Sequence, residues 1–162
     1  MTITDPKTTL VETLGRLNEQ ALHKLEGASE YDLRRPMTPT GTNLLGVVKH
    51  LAGVQAGYFG DTFGRMWPTP EERVSEQQFA SDPQADWYAT EDETCAQIVD
   101  LYRRVWAFAD ATLDELPLDA TGRVPWWDPE RNDVSLGQIV THVLVDLARH
   151  VGHADVVREG ID

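Results

Sequence analysis

The chain is poor in basic residues: 14 lysines and arginines stand against 27 aspartates and glutamates, a formal net charge of -13 at pH 7. Phosphate recognition needs clustered cations, so nucleic acid is excluded as a partner, and anionic membrane surfaces with it. Acidity of this kind serves solubility. Cysteine is nearly absent: Cys95 stands alone. No disulfide can form within the chain, which fits a reducing, cytoplasmic setting. No apolar run reaches the roughly 18 residues that a membrane helix requires. The opening Met1 to Pro6 has no basic region leading into an apolar run, so no secretory signal is expected. Low-complexity tracts are missing, and no segment reads as a confident strand.

What is present is helical periodicity over 162 residues, enough for one domain, 1–162, with a core. Asp5 before Pro6 is a helix start, and Leu10, Leu14, Leu17, Ala21 and Leu25 follow at helical spacing until Gly27. Ser29 to Gly41, with Pro36 and Pro39, reads as irregular. A second helix opens at Thr42 or Asn43 and buries Leu44, Val47, Val48, Leu51, Val54 and Tyr58. Gly46, Gly53, Gly57 and Gly60 interrupt it at a cost in helix stability, which points to close approach of a neighbour or ligand. Residues 66–89 read as a long crossover with at most a short turn of helix. Thr90-x-x-Glu93 reads as a capping box for a third helix running to Glu115 and stopped by Pro117. The loop 117–134 carries Trp126 and Trp127, and a second box, Ser135-x-x-Gln138, opens a fourth helix to about Glu159. The expected fold is all-α: a four-helix bundle, up-down-down-up, with its long crossover between the second and third helices. Asn43 to His50 can be laid on Ser135 to His142, so that cap, apolar pattern and histidine coincide.

The fourth helix holds His142, His150 and His153, three of the five histidines, with Asp146 midway between the first two. Four residues make about one turn, so Asp146 and His150 stack on one face. Ile139, Val143 and Leu147 share that side, so Asp146 interrupts an apolar run where a carboxylate is costly unless paired or metal-bound. His142 and His150 stand about 12 Å apart along the axis and cannot be neighbouring ligands of one ion. Spacing alone leaves two choices, His142 with Asp146 or Asp146 with His150. His50, on or beside the buried stripe of the second helix, is the candidate third ligand; alone it would read as a core histidine. His153 could be a fourth ligand, an outer-sphere group or a proton carrier. Two imidazoles and one carboxylate suit zinc, iron or nickel, and three protein ligands leave a position open for water or substrate.

Residues 44–59 (L-L-G-V-V-K-H-L-A-G-V-Q-A-G-Y-F) and 141–159 (T-H-V-L-V-D-L-A-R-H-V-G-H-A-D-V-V-R-E) resemble the DinB-like four-helix bundles. Within them the chain resembles the mycothiol-dependent metalloenzymes, the S-transferases and maleylpyruvate isomerase-like proteins. The resemblance covers nearly the whole chain. It implies a divalent metal, usually zinc, with nickel or iron as alternatives. It places the ligands at His50, Asp146 and His150 and leaves His142 and His153 as neighbours. It implies a cytoplasmic enzyme that activates mycothiol, a low-molecular-weight thiol, for attack on an electrophilic small molecule. The family pattern has Glu where this chain has Asp146, one methylene shorter, so the carboxylate must reach farther. Arg149 and Arg158 are candidate contacts for a polar, sugar-bearing thiol, and Trp126 and Trp127 are candidate pocket walls; Cys95 reads as packing. Two other readings stand beside S-transfer: a metal-dependent isomerase or hydrolase that uses bound water, and a non-catalytic metal-binding stress protein. A homodimer stays open.

Overall fold

Asp5 opens the first helix as its chemistry requires, its carboxylate accepting from the Thr8 N–H while Pro6 needs no donor at the first helical position. In the computed structural model, which describes residues 5–161, this helix is α1, Pro6–His23. Residues 1–4, part of the stretch in which no secretory signal is expected, and Asp162 lie outside the described residues. The long helices that follow are α3 (Leu44–Phe59), α5 (Cys95–Glu115) and α6 (Leu136–Glu159). Short helices α2 (Glu30–Arg34) and α4 (Glu76–Ser81) and two single 3-10 turns lie in the connections. The fold is thus mostly helical, with one small addition: β1 (Thr121–Arg123) pairs antiparallel with β2 (Asp133–Ser135).

Three local expectations are corrected. The segment 29–41 contains α2, capped by Ser29, whose hydroxyl accepts from Asp32 N–H. The 117–134 loop is pinned at its base by the β1–β2 ladder, too short for any alternation to show in the sequence. The third long helix starts at Cys95 rather than within the Thr90–Glu93 box, because Thr94 and Gln97 form the reciprocal cap. Glu93 accepts from both the Thr90 N–H and the Lys49 ammonium on α3, each at 2.7 Å, and with Thr90 it closes only an isolated turn. The Ser135–Gln138 box forms as expected, and Asn43 caps α3 through the Gly46 N–H at 2.8 Å.

The core joins the apolar stripes of the long helices, with Leu45, Leu51, Phe59, Leu136, Ile139, Val143 and Leu147 fully buried. α3 packs on α5 and on α6, and α1 packs on α6 and on α5. One buried polar chain crosses this core. The Tyr102 hydroxyl on α5 donates to Asn18 Oδ1 on α1 at 2.6 Å, and the Asn18 amide donates to Leu14 O at 3.0 Å. Pairing of this kind is what permits polar atoms at such depth. No described helix is long and apolar enough to cross a membrane.

Candidate metal centre

His50 sits midway along α3, and its ring is fixed on two sides by a strap that the crossover lays over the helix. Asp86 accepts from Nδ1 at 2.6 Å, and the Trp87 indole stacks on the imidazole with centroids 3.9 Å apart and planes 17° off parallel. A carboxylate only accepts, so Nδ1 carries the proton and the Nε2 lone pair faces away from the strap. The strap can come this close because residue 46 is glycine: a Cβ there would lie 1.7 Å from the Trp87 carbonyl oxygen. Asn43 and Lys49 hold its backbone, the amide of Asn43 reaching Trp87 O at 3.5 Å and the ammonium of Lys49 reaching Tyr88 O at 3.1 Å.

Across from His50, α6 presents Asp146 and His150. Asp146 Oδ2 lies 4.0 Å from His50 Nε2, and Asp146 Oδ1 lies 3.4 Å from His150 Nε2. One donor atom from each of the three residues falls within 4.8 Å of the others. Two ligands on one tetrahedral ion, each about 2.1 Å from it, stand about 3.4 Å apart, so the Asp146–His150 pair already has ligand spacing and the wider separations would close by up to about 1.4 Å around a first-row divalent ion. His150 is 9% exposed, and no hydrogen bond reaches its buried Nδ1 among the described residues. The hydrogen bond with His150 holds the Asp146 carboxyl below its ordinary range, against the opposing effect of burial. The donor set, two imidazoles and one carboxylate held toward its ionised form, fits a divalent cation.

The other sequence candidates fall around this cluster. His142 lies two turns before His150 and packs against Tyr58 (centroids 4.7 Å) and Trp127 (5.3 Å) instead. The alignment of the two helix starts is thus matched in its caps, while its two histidines have different surroundings. His153 is exposed, its ring edge-on to His150 at 5.6 Å. Arg149 is exposed on the outer side of α6. Arg158 donates to the carbonyls of Lys24 and Glu26 at the end of α1. Burial pushes the half-buried Cys95 thiol up, away from the thiolate a nucleophile needs. Asp86 and Trp87, which sequence reasoning missed, carry no local signal; they sit in a turn-rich stretch and act through a partner 36 residues earlier.

A cavity of about 340 Å³ opens along α3 beyond His50. Asp86 belongs both to its wall and to the His50 hydrogen bond. Gly53 and Gly57 form part of its floor, and Trp126, 51% exposed, stands at its rim edge-on to Tyr58 with centroids 5.2 Å apart. A Cβ on residue 57 would lie 2.9 Å from the Trp126 ring, so glycine there lets the indole sit against the helix.

The fold has a counterpart among solved structures: a conserved protein from Enterococcus faecalis superposes with a TM-score of 0.73 over 98% of each chain, at 15% identity. No protein of curated function matches the chain. A profile of the mycothiol-S-transferase family matches residues 9–162, and the chain accordingly belongs to that DinB-like family.

Proposed function

We propose that this protein is a divalent-metal-dependent S-transferase that activates mycothiol for attack on an electrophilic small molecule. The observation that carries the reading is the convergence of His50, Asp146 and His150 within 4.8 Å, with Asp86 linking His50 to the cavity wall, in a chain of this family. A divalent ion held by these three residues would supply Lewis acidity that keeps a thiol sulfur in its thiolate form. Zinc suits the donor set first, nickel or iron next.

The chain's own residues do the rest. Asp86 keeps the Nδ1 proton on His50 and so aims Nε2 at Asp146, and Trp87 stops the ring from turning. The Asp146 carboxylate brings a negative charge that partly neutralises the cation. Trp87 and Trp126 limit water on the strap and cavity sides. No nucleophile from the protein is required, and Cys95 stays outside the chemistry.

An up-down-down-up order of the long helices, within one domain over 1–162, is the architecture that brings these groups together. Cross-helix contacts support it. Lys7 meets the Asp114 carbonyl and Asn18 meets Tyr102, so α1 and α5 run oppositely. Lys24 pairs with Asp155, end to end, so α1 and α6 run together. His50 faces Asp146 while Tyr58 faces His142, so α3 opposes α6. The lone cysteine fits a cytoplasmic setting.

The test is conjugation of mycothiol to a model electrophile by protein loaded with zinc, beside protein treated with chelator. Thiol-dependent turnover that chelation abolishes and zinc restores is expected. Turnover that needs metal but no thiol would favour a metal-bound-water enzyme; metal binding with no turnover would favour a binding protein. A separate prediction concerns Asp86. Asp86→Asn keeps a hydrogen bond but not the charge, and zinc affinity measured by chelator competition should fall about tenfold; Asp86→Ala should lose nearer 100-fold, the span typical of such outer-sphere partners. Unchanged affinity in both variants would remove Asp86 from the site.

A further inference from the structure

Gly53 is an unexplained cost. It lies inside α3, where glycine weakens a helix, yet a Cβ built on it meets nothing within 4 Å. Gly46 and Gly57 admit Trp87 and Trp126; Gly53 admits no protein atom and faces the cavity. The volume of about 340 Å³ lies at the lower end of small-molecule pockets.

Four charged side chains reach the cavity wall; Lys49, Arg73 and Glu72 each have a counter-charge, and Asp86 accepts the His50 N–H. Lys49 pairs with Glu93 at 2.7 Å, Arg73 with Asp61 at 2.9 Å, Glu72 with Arg104 at 2.8 Å and Asp86 with His50 at 2.6 Å. The remaining wall is largely apolar, with Val54, Val74, Phe79, Leu101 and Trp126 among its members. A charged ligand group would lose its water there without gaining a partner. A sugar-bearing thiol needs many donors and acceptors, and these paired groups are poor ones. An uncharged, planar or apolar molecule loses little and buries its surface.

We infer that this cavity is the electrophile subsite and that it selects uncharged, apolar electrophiles over anionic ones, with the space at Gly53 reserved for the substrate. The inference rests on the S-transfer reading for its chemistry. With an aryl halide the thiolate sulfur forms a bond to the ring carbon. The carbon–chlorine bond breaks, chloride leaves with the bonding pair, and the thiol proton passes to solvent; no oxidant or reductant is needed.

Binding is measured apart from turnover, using 1,3-dinitrobenzene, which is neutral and has no leaving group, and its anionic counterpart 3,5-dinitrobenzoate. Equilibrium dialysis against the zinc-loaded full chain should show the neutral compound binding at least about tenfold tighter, with mycothiol unable to displace it. Gly53→Leu fills the floor without removing any contact. It should keep or raise the melting temperature and cut dinitrobenzene binding, and kcat/KM for 1-chloro-2,4-dinitrobenzene, by about tenfold or more. Equal binding of the anion, displacement by mycothiol, or undiminished binding in a folded Gly53→Leu variant would each overturn the inference. Selective binding without conjugation keeps the subsite and removes the transfer reading. Conjugation indifferent to Gly53→Leu keeps the transfer reading and removes the subsite.

Discussion

His150→Ala is expected to yield a folded protein that no longer retains zinc through dialysis and loses thiol conjugation. His150 is the cleanest of the three positions to remove. Its Nδ1 has no hydrogen-bond partner among the described residues, so truncation leaves no buried donor or acceptor newly orphaned on that side. His50→Ala, by contrast, would strand the Asp86 carboxylate and unstack Trp87. The lost ring contacts with His50 and Trp87 should cost about 2 kcal/mol, which a domain of ordinary stability survives. Removing one ligand of three should weaken zinc binding by more than about 100-fold, beyond what outer-sphere changes produce. Elemental analysis beside the wild type, with circular dichroism as the check on folding, decides it. Stoichiometric zinc at unchanged affinity in the variant would sink the three-residue assignment.

Gly46→Ala should be the most damaging single methyl in the chain. The added Cβ would lie 1.7 Å from the Trp87 oxygen and 2.5 Å from its carbonyl carbon, both backbone atoms that no rotamer change can move. Either α3 or the strap must shift. The strap is the weaker partner, held by Asn43, Lys49 and His50 through single hydrogen bonds to Trp87, Tyr88 and Asp86. Its displacement would release the stack on His50 and expose Trp87. A cost of about 3 kcal/mol or more is expected, at the upper end for overpacking, although alanine alone would favour the helix by about 1 kcal/mol. Thermal unfolding reads the first effect and zinc affinity the second. A melting temperature equal to or above that of the wild type would show that the strap does not lie on α3 as described.

These two positions differ in how far they could be read in advance. That Asp146 shares a helix face with a histidine was legible because helix geometry relates residues four apart whatever else the chain does; spacing left His142 and His150 as equal choices, and the family resemblance pointed to His150. The caps at Asp5, Asn43 and Ser135 were legible for the same reason, since each cap and its amide lie within three residues. The Thr90–Glu93 box misled because a second box follows it directly. Glu93 still accepts from the Thr90 N–H, and also from Lys49, 44 residues earlier in the chain, but the helix takes its reciprocal cap from Thr94 and Gln97. Gly46 could be marked as a place of close approach, but not what approaches. Asp86 and Trp87 lay in the least regular segment of the sequence, and only a cross-chain contact gives them a role.

By itself the sequence determined the helical periodicity, most of the helix starts, the place of Asp146 and His150 one turn apart, His50 as the candidate third ligand, and the resemblance that joined the three. All of these depend on neighbours within a few residues or on a pattern kept along the chain. Tertiary structure alone decided that Asp86 and Trp87 orient His50, that the charged groups around the cavity already have partners, and that Gly53 faces empty space. Such facts arise where segments far apart in the chain are packed side by side, and no local periodicity encodes which segment will arrive.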